Sequence, residues 1–201
     1  MSINSTLLEE KSAKTKQSLV DSASELFVKY GVNKVTIDDI CSNCGMTKGS
    51  FYYHFPSKNH IVALSINSGL DRYLEEHYNS DENLSITEQL TNLNLCTFNF
   101  FQKIGKELTG LSFISLISTL VDVVIKDRTF VNVLSSIIIK AQNQSLLNDM
   151  NKEEAYHHCS SVINGILIEW CISGDKLNNI DWKKLIKIKS KSSLENNYII
   201  E

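Results

Sequence analysis

An all-α fold is predicted by three features of this 201-residue sequence: a single proline, apolar residues recurring at helical spacing, and N-cap signatures ahead of those runs. Each proline inside a helix removes an amide donor and clashes with the preceding turn, so long helical chains carry few. The one proline, Pro56, stands between two helical stretches. The pattern divides the chain into an N-terminal three-helix domain over 1–57, with a helix-turn-helix at about 36–55, and a helical domain over 58–201. About nine helices are expected in all.

Residues 1–12 are polar and read as frayed. From Lys14 to Tyr30, Leu19, Val20, Ala23, Leu26 and Phe27 form one stripe, and Gly31 is the expected stop. Thr36 stands before Ile37, Ile40 and Cys41 with Asp39 three positions on, the signature of a capping box. Gly45 ends that short helix, because glycine adopts a left-handed conformation without a Cβ penalty. Thr47 caps a second short helix that Pro56 stops. Ser57 opens a longer helix to about Tyr78, and Asn79 to Asn83 is a break.

Ser85 and Glu88 form a second capping box ahead of Leu90, Leu93, Thr97, Phe101 and Ile104. Gly105 and Gly110 bracket a predicted break. The runs Val121–Ile125 and Ile137–Ile139 have strand propensity, but the spacing of Phe130, Leu134, Ile137, Ile138 and Ala141 makes them helix. Asn151 with Glu154 starts another helix, on which Tyr156, Cys159, Ile163, Ile166 and Trp170 fall in a heptad-like seam ending at Gly174. Asp181 caps a last helix through Trp182, Leu185, Ile186 and Ile188, and residues 190–201 read as loosely held.

Two short helices joined by a glycine turn, the second carrying Lys, Ser, two Tyr and His, form a helix-turn-helix signature. Gly49 lets backbone approach a duplex, while Thr47 and Ser50 can bond phosphate or a base edge. Lys48 is the best donor to guanine O6 or N7. Tyr52 and Tyr53 offer hydroxyls to phosphate, although Tyr53 is as readily placed between helices, and Phe51 and Phe55 read as core. Thr36 can donate to phosphate from the first helix.

The run Thr36, Gly45, Met46, Thr47-Lys48-Gly49-Ser50, Phe51, Tyr52, Tyr53, His54-Phe55, Pro56-Ser57-Lys58 resembles the DNA-binding segment of the TetR/AcrR family of bacterial transcriptional regulators. The resemblance covers roughly the first third of the chain and is one of architecture beyond it. It implies phosphate clamps at His54 and Lys58, a homodimer on a near-palindromic operator, and a ligand-binding, dimerising second domain. A repressor released by a small apolar or aromatic ligand is the reading this favours. The apolar surplus of residues 86–141, with Phe98, Phe101, Phe113 and Phe130 and the later Trp170, would supply the pocket. The seam Tyr156, Cys159, Ile163, Ile166, Trp170, together with Trp182 on the last helix, would pair with its copy. The alternative is a DNA-binding protein of the same kind with no small ligand, working architecturally or through a protein partner.

Formal charge is −3, against coating nucleic acid non-specifically. The first 60 residues hold seven Lys and six Asp/Glu, so the small positive excess lies on the side that would meet phosphate. No arginine occurs there, which weakens bidentate guanine reading and favours an A·T-rich operator. Five cysteines at irregular positions give no disulfide framework, and Cys41-x-x-Cys44 and His157-His158-Cys159 lack the further ligands a zinc site needs. No cofactor is expected. No signal peptide or membrane span is legible, so the expected place is the cytoplasm. Nothing suggests an enzyme: paired carboxylates, a nucleophile with its base, and a phosphate loop are all missing from the pattern.

Overall fold

The computed structural model describes residues 3–119, 128–173 and 180–195. Among them there is no strand, and the elements are α1 (Ile3–Tyr30), one 3-10 turn (Val32–Lys34), α2 (Ile37–Asn43), α3 (Lys48–His54), α4 (Lys58–His77), α5 (Ile86–Thr119), α6 (Thr129–Asn143), α7 (Lys152–Ile172) and α8 (Trp182–Ser192). The predicted helix at Val121–Ile125 and the predicted stop at Gly174 lie outside the described residues. The described residues fall into two compact units, 3–69 with 107–119, and 70–106 with 128–173 and 180–195. Both α4 and α5 contribute to each unit.

In the first unit, α1, α2 and α3 pack on one another around Leu19, Ala23, Phe27, Ile40, Phe51, Phe55 and Ile61, all essentially without exposure. Ser22 sits in this core and donates its hydroxyl to the Ile40 carbonyl at 2.8 Å, so the buried oxygen is partnered. α1 starts at Ile3, eleven residues ahead of the expected start at Lys14. Polar residues without apolar periodicity concealed those first turns.

The termini follow side-chain chemistry. Thr36 accepts from the Asp39 amide at 3.1 Å while Asp39 accepts from the Thr36 amide at 2.8 Å, the reciprocal box expected. These bonds hold the Asp39 carboxyl below its ordinary range. Ser85 with Glu88 and Asn151 with Glu154 form the same arrangement, and Asp181 caps α8. α2 ends in a Schellman turn: Met46 donates to the Cys41 carbonyl and Gly45, at φ 68°, donates to that of Ser42.

In the second unit, α6 packs on α7 and α7 on α8. Phe98 lies near Trp170 (5.6 Å between ring centroids) and Trp182 (6.5 Å), while His158 bonds the Ser193 carbonyl, so α7 and α8 run antiparallel. α5 is two helices joined at Gly105, whose φ of 86° and ψ of 164° belong to a region essentially reserved for glycine. The expected break thus falls at Gly105 alone, and Gly110 lies within the helix. Residues 190–195 are better held than the polarity of the stretch suggested, with Ser190 and Leu194 buried.

Candidate nucleic-acid interface

The nine residues expected to meet DNA are the N-caps of α2 and α3, six residues of α3 and the first residue of α4. Thr47 accepts from the Ser50 amide at 3.1 Å and fixes where α3 begins. Phe51 and Phe55 are buried against α1 and α2, which turns Lys48, Gly49, Tyr52 and Tyr53 outward. Tyr53 is 78% exposed and Tyr52 52%, so neither tyrosine is placed between helices and both rings are available to a duplex. Tyr53 leans on His54 edge to face, and Tyr52 on Phe51, which steadies rings that would otherwise sample many rotamers.

Two of the lysines are already engaged. Lys48 donates to the Asp38 carboxylate at 2.9 Å, with both side chains more than half exposed. The hydrogen bond and charge of Asp38 raise the Lys48 ammonium above its ordinary pKa. Exposed ion pairs of this kind are weak and exchangeable, so a guanine or phosphate oxygen can replace the carboxylate. The sequence reading passed over Asp38; its place one residue before the cap's Asp39, on the exposed side of α2, was the available signal.

Lys58 is held differently. Its ammonium donates to the carbonyls of Val32 (2.9 Å) and Val35 (3.1 Å), tying the start of α4 to the connector ahead of α2. An ammonium has three donors, so one is left for phosphate. Lys58 is therefore a structural tie first. Lys58→Met is expected to cost roughly 1.5–3 kcal/mol, the range for hydrogen bonds to a charged group. Melting in the absence of DNA should fall by roughly 3–12 °C. An unchanged melting temperature would show the tie to be unimportant.

The cysteine pair is packing. Cys41 is buried, its thiol pushed up by burial, and Cys44 donates to the Ile40 carbonyl. Cys159, on α7, is raised to about 11 by burial. Among the described residues no group of three or more His, Cys, Asp or Glu is placed to hold a metal. No described helix is long and apolar enough to cross a membrane.

The remaining expected sites are distributed otherwise than the sequence suggested. Phe98 and Trp170 do meet, but as core rings packed with Trp182. Phe101 packs with Phe100, which in turn lies on Tyr73. Phe130 is buried at the start of α6, and Phe113 belongs to the first unit. Cys159, Ile163, Ile166 and Trp170 are all at least 91% buried inside the chain's own second unit, with Tyr156 and Trp182 half-buried. Within the single chain, the spacing of that seam matches the face α7 turns to its own neighbours. The face left open carries Ser161, Asn164, Gly165, Ile168 and Ile172.

A capped pair of short helices on a buried aromatic core, with Lys, Tyr and small residues facing out, has the architecture of a helix-turn-helix. The family model described as bacterial regulatory proteins, tetR family, matches residues 19–64. Tn10 TetC protein of Escherichia coli is 44% identical over 55 residues, 27% of this chain and 28% of that protein. The regulator SrpR of Pseudomonas putida is 40% identical over 48 residues, 24% and 22% of the two chains. The matched stretch thus spans about a quarter of each relative's length. Over this segment the chain is similar to the helix-turn-helix part of bacterial regulators of the tetR family. Across nearly the whole length the fold is that of a TetR regulator from Rhodococcus sp. RHA1 (TM-score 0.61, 14% identity, 92% of this chain and 97% of that one). It is also that of FadR from Bacillus subtilis, solved with stearoyl-CoA (TM-score 0.52, 14% identity, 89% and 97%).

Proposed function

We propose that this chain is a homodimeric repressor that binds a near-palindromic operator and leaves it when a small apolar or aromatic molecule binds the second unit. The outward presentation of Lys48, Gly49, Tyr52 and Tyr53 on a capped, core-anchored α3 carries the reading. A helix of this kind enters the major groove, and a two-fold pair reads half-sites about one helical turn, or a multiple of it, apart. The organisation proposed is a DNA-binding part over 1–57 and a regulatory part over 58–201, in the cytoplasm, with no catalytic role.

Selection of bound duplexes from a random pool tests it. Enrichment of an inverted repeat is expected; recovery of unrelated sequences alone would overturn sequence-specific regulation.

The exposed face of α7 is the proposed contact with a second copy. Ile168 (45% exposed) and Ile172 (71%) stand one turn apart beyond the small residues Ser161 and Gly165, and Ile188 (53%) is exposed on the adjoining α8. Small residues allow close helix approach, and the isoleucines supply apolar area. Ile172→Asp is expected to give monomers in sedimentation with unchanged helix content. A persistent dimer would place the interface elsewhere.

The ligand-free alternative has an observation of its own. Phe98 packs on Trp170 and on Trp182, and among the described residues no buried polar side-chain atom lacks a partner. Rings in contact take up space that a ligand would need. Melting shifts with a panel of fatty acyl compounds, dyes and aromatic antibiotics separate the two, a ligand that also releases DNA favouring the first.

A further inference from the structure

A cleft of about 580 Å³ opens on the first unit between the early turns of α1 and the outer face of α3. Its walls are Leu8, Lys11, Ser12 and Thr15 from α1 and Gly49, Ser50, Tyr53 and His54 from α3. The four α1 residues fall at i, i+3, i+4 and i+7, one stripe of the helix. The four α3 residues all belong to the set already read as facing DNA.

The lining is one-signed. Lys11 is exposed, and no carboxylate stands on either wall. Glu9 and Glu10 are exposed but rotated by about 100° or more from the stripe's centre, at 100° per residue. Thr15 donates its hydroxyl to the Lys11 carbonyl, which leaves Ser12 and the Lys11 ammonium as the donors α1 offers. By contrast, the cleft at Leu26, Tyr30, Lys34 and Asp39 on the same unit contains a carboxylate already committed to the α2 cap.

We propose that α1 contributes a second contact to the DNA interface, with Lys11 and Ser12 receiving the sugar–phosphate backbone that borders the major groove occupied by α3. The proposal rests on the reading of α3 as the recognition helix. A duplex seated on Tyr53 and His54 lies over a wall they share with Lys11, so the ammonium meets phosphate without any rearrangement of the fold. The contact adds affinity and salt dependence but carries no base preference, because every phosphate is alike.

Fluorescence anisotropy of the full chain on a pool-selected duplex, across a salt series, tests this with Lys11→Gln and Ser12→Asp. Loss of one phosphate contact reduces the slope of log K against log salt by about 0.9, which is about fivefold in affinity at physiological salt. Lys11→Gln should show both losses equally on selected and unrelated duplexes. Ser12→Asp, which places a negative charge in the cleft, should lose more. Both side chains lie outside the core, so melting should match the wild type. Unchanged affinity and slope in both variants, with the wild type binding normally, would overturn the α1 contact alone. A wild type that binds no duplex would instead remove the helix-turn-helix reading beneath it.

Discussion

Trp170→Asp is expected to destabilise the second unit directly. The indole is 9% exposed, lies edge-on to Phe98, and has the Lys106 ammonium 5.7 Å from its ring centroid. Truncating a buried Trp typically costs about 3–5 kcal/mol. The new carboxylate adds a desolvation penalty that one neighbouring ammonium only partly offsets. A loss of about 4 kcal/mol lowers the melting temperature of a chain this size by roughly 8–16 °C. Trp170→Phe keeps an aromatic ring against Phe98 and should recover most of that loss. Calorimetry checks both, and a stably folded Trp170→Asp variant that merely changes oligomeric state would show that the ring faces a partner.

The second large effect is on DNA. Lys48→Ala should weaken binding to the selected operator by about ten- to hundredfold, the range for a good side-chain–base pairing, and binding to unrelated duplexes far less. Equal losses on both would reduce Lys48 to a phosphate contact. Asp38→Ala is the informative companion. It frees Lys48 from its 2.9 Å partner and removes a negative charge from the face turned to phosphate. Affinity for all duplexes should rise, and discrimination between them should narrow if the carboxylate aims the ammonium. Competition titrations with selected and unrelated DNA report both quantities.

What could be read from the sequence was mostly what is local. The caps at Thr36, Ser85, Asn151 and Asp181 are where the residue pattern put them, because a side chain and an amide three residues away settle the matter between themselves. The helix-turn-helix was legible for the same reason, with its Schellman glycine and its two buried phenylalanines. The readings that differ concern what lies across space. A seam of Cys159, Ile163, Ile166 and Trp170 states that one face of α7 is buried, but periodicity is silent about what buries it. The aromatic surplus likewise was visible as composition, while its division into Phe98–Trp170–Trp182 and Phe100–Phe101 groups depends on how helices distant in sequence meet. Polar turns at the start of α1 showed no stripe, so neither the helix there nor its cleft with α3 was expected.

The tie made by Lys58 has a thermodynamic consequence. A free lysine loses about 1.5–2 kcal/mol of rotamer freedom when it is immobilised. Two carbonyls already hold this one still in the DNA-free protein. A phosphate arriving at its third donor therefore meets a preorganised cation, and the ordering cost belongs to folding rather than to association. Lys48 is the opposite case: its partner must be exchanged and its side chain realigned at each encounter. One cation would act as a fixed register mark and the other as a movable reader, so mutations at the two should separate into effects on folding and effects on discrimination.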